Sequence, residues 1–213
     1  AGKTTLVLTI MGIIEPYSGE ILVNGIPLSK SWIRSYQHLF APAFQENVLL
    51  ADTLEKNIVI SESINKQKLM KIAEQVTLNK TISKLPQGMQ TYLTRYIHDN
   101  GLIPSGGELQ KIILGRALYR DSPFIILDEP TAALDSLTES LLYQQMENLF
   151  KGKTSLFISH RLASTKFADN IILLKDGQIE AYGSHKVLLS ESAEYRKIFN
   201  VQKQLYESEI TNE

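Results

Sequence analysis

The sequence predicts an α/β fold with a mainly parallel sheet, and two observations support this class. First, continuous apolar runs such as Phe-Ile-Ile-Leu at residues 124–127 are typical of strands buried on both faces of a parallel sheet. Second, stretches with apolar residues at helical spacing lie between these runs. Because strand and helix alternate, a helix can cross over from one parallel strand to the next.

The first part of the chain is predicted to hold short elements. They are, in order, a helix at residues 3–11, strands at 20–23 and 26–28, and an apolar stretch at 35–44. Gly12 is expected to end the helix. Asn24-Gly25 favours a tight hairpin turn between the two strands.

The middle of the chain, residues 53–118, has a helical pattern. Two amphipathic stripes carry this prediction, one formed by Leu69, Ile72, Ala73 and Val76 and the other by Leu109, Ile112, Ile113 and Ala117. Large aromatic residues such as Phe40 and Phe124 are expected in the core.

After the run at 124–127, the chain is predicted to return to alternating elements. Ser136 and Glu139 form a possible capping box at the start of a crossover helix. Further buried strands are expected at residues 154–158 and 171–174, and a turn at 175–178 leads into a strand at 179–181. The polar segment 202–213 is expected to fray.

Composition limits the classes of function. The formal net charge is -1 and the sequence pI is about 6.5, so no basic surface indicates nucleic acid as a partner. The absence of cysteine excludes disulfides and Cys-ligated zinc. No apolar run approaches the roughly 20 residues that span a bilayer. Because Ala1 stands directly before Gly2-Lys3, we expect further sequence upstream.

The chain begins with part of a phosphate-binding pattern. Gly2-Lys3-Thr4 matches the end of G-x-x-x-x-G-K-[S/T], in which backbone amides bind phosphates, the lysine reaches the β and γ groups, and the hydroxyl holds Mg²⁺. Taken alone, the same three residues are also consistent with an ordinary helix start.

Two carboxylates follow the apolar run at 124–127. Asp128 and Glu129 would lie at the carboxyl end of a buried strand, where open α/β sheets bind ligands. Asp128 could hold Mg²⁺ through water, and Glu129 could polarise an attacking water as a general base. A solvated acidic turn broken by Pro130 is the alternative interpretation.

A serine and two glycines precede the second amphipathic stripe. Ser105-Gly106-Gly107-Glu108 would place unpaired amides and a positive dipole end at a helix start, which favours an anion. Taken alone, these residues favour a plain capping turn with Ser105 as N-cap.

Together, these patterns resemble the nucleotide-binding domain of ATP-binding-cassette (ABC) transporters, a P-loop NTPase fold. Gly2-Lys3-Thr4-Thr5 resembles the end of Walker A, Ser105–Glu108 the signature motif, and Asp128 with Glu129 Walker B. Gln45 is similar to the Q-loop glutamine, Ala133-Leu134-Asp135 to the D-loop, and His160 to the switch histidine. The order of six motifs carries the resemblance over all but the polar tail.

The resemblance implies an ATPase that uses ATP and Mg²⁺. It assigns catalysis to Glu129, His160 and Gln45, and metal binding to Thr4, Gln45 and Asp128. Nucleotide binding falls to Gly2, Lys3, Thr4, Thr5, Ser105, Gly106, Gly107 and Asp135. It also implies one domain over 1–213, with an ATPase core at 1–48 and 121–201 and an inserted helical subdomain at 49–120 that carries the signature motif.

Finer patterns resemble the exporter branch, among them Phe44–Asn47, Leu85–Thr91 and Ser159–Thr165. This branch implies an upstream transmembrane domain on the same polypeptide, a homodimer or paired cassette that sandwiches two ATP molecules, and a place on the cytoplasmic face of the membrane. The family's first strands, its adenine-stacking aromatic residue and the first loop glycine would lie before Ala1. We therefore expect the isolated 213-residue chain to be unstable and nearly inactive.

Some residues depart from the family pattern. Glu108 stands where glutamine is usual and Pro104 where leucine is usual, which puts the turnover rate in question, and 95–101 matches loosely the segment that senses the membrane domain. A soluble ATP-driven switch, as in translation or repair relatives, and a cassette that binds ATP without hydrolysing it are the alternatives. Of the four histidines, His38, His98 and His185 are expected to serve packing, turns or surface.

Overall fold

A computed structural model describes residues 2–44, 48–130, 136–159, 162–165 and 167–211. The helices are α1 Lys3–Ile10, α2 Ile33–Gln37, α3 Leu54–Val59, α4 Lys66–Gln75, α5 Asn79–Ile82, α6 Gly106–Arg120, α7 Ser136–Leu149, α8 Leu162–Thr165, α9 His185–Glu191 and α10 Ala193–Thr211. The strands are β1 Leu22–Val23, β2 Ile26–Pro27, β3 Phe40–Ala43, β4 Phe124–Asp128, β5 Thr154–Ile158, β6 Ile171–Lys175 and β7 Gln178–Gly183. The predicted α/β class is confirmed.

The chain divides into two units. The first comprises Ala1–Gln37, Asp135–Asn148 and Ile158–Glu213, and the second comprises His38–Leu134 and Leu149–Phe157. The predicted division into an ATPase core and a helical subdomain stays a prediction.

In the first unit, side chains of α2 form hydrogen bonds with the C-terminal end of α1. The hydroxyl of Tyr36 donates a hydrogen bond of 2.7 Å to the carbonyl oxygen of Ile10, and the amide of Gln37 donates one of 3.1 Å to that of Gly12. Both acceptors lie at the helix end, where carbonyls lack partners within the helix. These bonds therefore complete the C-terminus of α1.

Two hairpins in the first unit form where the turn residues predicted them. β1 pairs antiparallel with β2 across Asn24 and Gly25, whose φ angles are 52° and 80°. β6 pairs antiparallel with β7 across Asp176 and Gly177, with φ angles of 48° and 77°. Two consecutive positive φ values match the twist of hairpin strands, and asparagine, aspartate and glycine tolerate them.

The prediction of a buried strand at 171–174 is wrong. Among the described residues β6 pairs with β7 in a two-stranded sheet, and Ile172 remains 44% exposed. A strand paired in a hairpin with one face uncovered alternates in burial, whereas continuous burial needs helices on both faces of a sheet. The apolar run alone did not distinguish these cases.

The second unit is built on a three-stranded sheet with β4 in the centre, in the order β3-β4-β5. β3 and β4 run parallel, with Phe40 opposite Phe124 and Ala43 opposite Leu127. In β4 the residues Ile125, Ile126 and Leu127 are 1–2% exposed. The predicted central buried strand is thus confirmed, whereas the predicted burial of the strand at 154–158 is wrong except at Ile158, which is the one buried residue of β5.

Helix α6 is the longest helix of the second unit and packs against β3, α3 and α4. Its buried residues are Ile112, Ile113, Leu114, Gly115, Ala117 and Leu118. A side-chain carbon at Gly115 would lie 3.7 Å from both Ile58 and Ile72, so the small residue lets α3 and α4 approach α6 closely. The two predicted amphipathic helices correspond to α4 and α6.

Two other predictions need correction in this unit. Residues 83–104 are mostly not helical, because Leu93 and Leu102 pair in a β-bridge and Thr53 pairs with Tyr92. Phe124 was expected in the core, but it is 38% exposed, since it lies at the first position of its strand. Phe40 is buried as predicted.

Within the described ranges, no helix is both long enough and apolar enough to cross a membrane.

Candidate nucleotide-binding site

The first candidate element is the start of α1, in the first unit. Gly2 precedes the helix with φ 96° and ψ 0°, and no side chain caps the helix at this position. Lys3 is half-buried, whereas Thr4 and Thr5 are exposed. The first amides of a helix lack acceptors within the helix and carry its positive dipole end. This element thus has the geometry of an anion site, with a lysine and a hydroxyl beside it.

The second element is the end of β4, in the second unit. Asp128 is the last residue of the strand and only 7% exposed. Glu129 follows with φ 49°, in the left-handed region. Ile60 and Asp121 adopt the same conformation at helix C-caps, where it is common, but Glu129 follows a buried strand. Such a conformation costs about 1–3 kcal/mol and clusters at functional sites.

The third element is the start of α6, also in the second unit. Ser105 is the N-cap, and its hydroxyl accepts a hydrogen bond of 3.4 Å from the amide of Glu108. The Glu108 carboxylate in turn accepts bonds of 2.9 Å from both the amide and the hydroxyl of Ser105. The alternative of a plain capping turn is therefore realised as a complete capping box, which is compatible with the predicted signature motif.

These contacts set the charge of Glu108. The hydrogen bonds from the backbone amide and then the hydroxyl of Ser105 lower the pKa of its carboxyl, and Lys111 adds a smaller effect in the same direction. The carboxylate is thus ionised at neutral pH and turned back onto Ser105. Exposure of the site screens its charge from a more distant phosphate.

The remaining predicted site residues lie outside the described residues. These are Gln45, Asp135 and His160, together with the Ala133-Leu134 part of the predicted D-loop. Of the other histidines, His185 lies 2.8 Å from the Tyr195 hydroxyl and packs on Phe199, and His98 packs on Tyr92. The packing prediction is confirmed for these two.

The donor groups fit a magnesium nucleotide. Mg²⁺ prefers hard oxygen ligands and takes one or two from the protein and others from phosphates and water. The Thr4 hydroxyl and the Asp128 carboxylate are oxygen donors of this kind, and helix amides with Lys3 are suited to phosphates. The residues present therefore suit the cofactor that the sequence predicts.

Sequence reasoning missed two polar residues of the second unit, Asn57 and Arg116. Asn57 is fully buried, and Arg116 donates a hydrogen bond of 2.9 Å to its carbonyl oxygen. The sequence could have indicated Arg116, because this charged residue lies four residues after Ile112 and three after Ile113, on the apolar stripe of α6.

Comparison with known proteins decides the family. The family model described as ABC transporter matches residues 1–132, more than half of the chain. The chain belongs to the ABC transporter family. The predicted family and its P-loop NTPase fold are therefore confirmed.

Individual relatives of this ABC chain agree. An ATP-dependent lipid A-core flippase of Burkholderia pseudomallei (strain 1710b) is 35% identical over 202 residues, which is 95% of this chain and 33% of that protein. The flippase of Alkalilimnicola ehrlichii is 35% identical over 204 residues, 95% of this chain and 34% of the relative. The chain thus spans about one third of the length of these curated relatives.

A solved structure supports the same fold. The structure of a bacterial Atm1-family ABC exporter with ATP bound superposes with a TM-score of 0.85 at 28% identity, covering 95% of this chain and 35% of that one. The similarity to exporters supports the predicted exporter type of the domain.

Proposed function

We propose that this chain is the ATP-hydrolysing domain of an ABC exporter. The observation that carries the proposal is the end of β4, where a buried carboxylate, Asp128, is followed by a strained Glu129. Helix-start anion sites can be built by many folds, but an acid at the carboxyl end of a buried central strand followed by a second acid can supply both the metal-binding carboxylate and the group that positions the attacking water.

In the proposed reaction each residue positions or neutralises charge. Lys3 and the first amides of α1 would bind the β- and γ-phosphates, and Thr4, Gln45 and Asp128 would hold Mg²⁺. Glu129 orients and deprotonates the attacking water, with Gln45 and His160 as further contacts to the water and the γ-phosphate. Mg²⁺ supplies neutralisation of the charge that develops on the transferred group. Asp135 belongs to the same proposed nucleotide site.

The proposed assembly has two cassettes and a transmembrane domain. Ser105, Gly106 and Gly107 of one copy would contact the γ-phosphate bound by the other copy, so that ATP joins the two. The chain matches one third of each flippase relative, which leaves room in such a protein for a membrane domain. We place this domain on the cytoplasmic face of the membrane. Because the relatives are flippases and an exporter, a soluble ATP switch is not favoured.

The test is the Glu129→Gln variant of the full-length protein in nanodiscs. Removing the base should lower kcat for Mg-ATP by roughly 10²–10⁴-fold while ATP binding persists, because the amide still fits but cannot take a proton. ATP should then hold the two cassettes together, which is measured as a nucleotide-dependent cross-link or a shift in melting temperature.

Glu62→Gln is the matched control, because Glu62 is an exposed carboxylate of the same unit. Its kcat should equal that of the wild type. Ordinary turnover in Glu129→Gln would refute the assignment of the base, and no Mg-ATP hydrolysis in the wild type would refute the proposed function.

A further inference from the structure

Arg116 is a half-buried cation on the core side of α6 whose hydrogen bonds go to backbone carbonyls. Its Nε donates a hydrogen bond of 2.9 Å to the carbonyl oxygen of Asn57, and its Nη2 makes a longer contact of 3.5 Å to that of Val48. Burial lowers the pKa of its guanidinium, but an arginine remains charged at neutral pH. Among residues 2–44, 48–130, 136–159, 162–165 and 167–211, no carboxylate forms an ion pair with it.

Packing alone does not explain an arginine at this position. Burying a charge costs free energy, and an apolar side chain of similar volume is often neutral or stabilising in its place. What a guanidinium offers is a rigid fork of donors that reaches two acceptors at once. Here the two acceptors lie on separate segments, the end of α3 and the chain at Val48.

The Asn57 side chain bonds to the residues that follow Val48. Its side-chain oxygen accepts a hydrogen bond of 2.8 Å from the amide of Leu50, and its side-chain nitrogen donates to the carbonyl oxygens of Leu50, Asp52 and Thr53 at 3.0–3.2 Å. The residue is 0% exposed. This buried amide fixes the path of residues 50–53, since the Asn57 side chain is shielded from water and would be left unpaired if the segment moved away.

The segment and the helix each adjoin a proposed catalytic motif. Val48 stands three residues after Gln45 in the sequence, and α6 begins directly after Ser105. The close packing of Gly115 on Ile58 holds α6 against α3. Arg116 and Asn57 thus join residues 48–53, α3 and α6 into one hydrogen-bonded body.

We propose that Arg116 and Asn57 are positioning residues for ATP hydrolysis, which fix the segment after Gln45 relative to the helix that presents Ser105. The inference rests on the proposed function. ATP is first bound by Lys3 of its own copy, whereas Gln45 and Ser105 act once the complete site has formed. Loosening the network should therefore lower kcat and leave the KM for Mg-ATP nearly unchanged.

The experiment compares Arg116→Lys and Arg116→Met in the full-length protein in nanodiscs. Lysine keeps the charge and stem but has no fork, and methionine keeps only the stem. We expect kcat per nucleotide-binding site to fall roughly tenfold in both variants, because small displacements of catalytic groups are costly, with KM for Mg-ATP within about twofold of the wild type. Sites are counted by equilibrium binding of ATP without Mg²⁺. If Arg116→Met does not fold, Arg116→Lys carries the test.

Two comparisons make the result specific. Arg120→Lys is the matched control, one turn further along α6 and exposed, and its kcat should not change. The second comparison sets the double variant Asn57→Ser/Arg116→Lys against its two single variants. The kcat of the double variant should be no lower than that of the slower single variant, because both residues serve one network. If the variants change only the melting temperature or the number of sites, with kcat per site unaltered, the residues are structural and the inference is overturned. A wild type that does not hydrolyse Mg-ATP would instead overturn the proposed function.

Discussion

Helices α1 and α6 both begin with glycine-rich sequence, but their N-termini are completed differently. At α1, Gly2 provides no side-chain cap. At α6, Ser105 and Glu108 form a reciprocal capping box. A helix start without a side-chain cap leaves its amides for an external acceptor, whereas a self-capped one already satisfies some of them. The two proposed phosphate-binding motifs therefore differ: the amides at the start of α1 have no side-chain acceptor, whereas at α6 the amides of Ser105 and Glu108 are already bonded within the motif.

Of the two helix starts, α1 should show the larger effect when it is altered. Lys3→Ala should lower kcat/KM for Mg-ATP by about 10²–10³-fold, because it removes the cation beside the proposed phosphates. Steady-state hydrolysis and ATP binding by the full-length protein measure it, with the exposed Lys30→Ala as the control. Normal activity in Lys3→Ala would show that the start of α1 does not bind phosphate, and the proposed difference between α1 and α6 would no longer hold.

A smaller effect is expected from Ser105→Ala at α6. Loss of the cap should cost about 1 kcal/mol of stability, and loss of the hydroxyl from the proposed γ-phosphate site should lower kcat roughly tenfold. Ser184→Ala is a matched control, since Ser184 also caps a helix, α9, through a 3.4 Å bond from the amide three residues on. It should reduce the melting temperature alone. Equal kcat in the two variants would leave Ser105 with a capping role only.

The smallest effect is expected from Glu108→Gln. Glutamine can still accept the hydrogen bond from the Ser105 amide but lacks the charge that strengthens it, so the melting temperature at pH 7 should fall slightly. The value of kcat should rise by about twofold or less because the removed charge was screened. A pronounced loss of kcat would show that the carboxylate assists the reaction.

The pH dependence of the melting temperature, compared between the wild type and Glu108→Gln, tests the role of the Glu108 charge. The pKa of Glu108 is lowered in the folded protein, chiefly by the Ser105 amide and hydroxyl. Its contribution to stability is therefore present above the ordinary glutamate pKa of about 4.5 and is lost as the pH falls through the lowered value. The melting temperature of the wild type should accordingly fall more steeply than that of Glu108→Gln between about pH 5 and pH 3.

Much of the fold followed from local sequence. The central strand β4, helices α4 and α6 and both hairpin turns were predicted, because their signals are the period of apolar residues and the backbone preferences of Asn24-Gly25 and Asp176-Gly177. Burial of β6 was predicted wrongly. The same apolar run fits a hairpin and a central strand, and the choice depends on pairing with distant residues.

For the candidate site, the sequence by itself determined which residue types stand in order at Lys3, Ser105, Asp128 and Glu129, since each motif is a short contiguous string. Only the tertiary structure decided that Arg116 reaches Val48 and Asn57, which are 68 and 59 residues away along the chain. Hydrogen bonds of this kind depend on where folded segments meet. Their acceptors are backbone carbonyls, which every residue carries, so no pattern of side chains in the sequence predicts them.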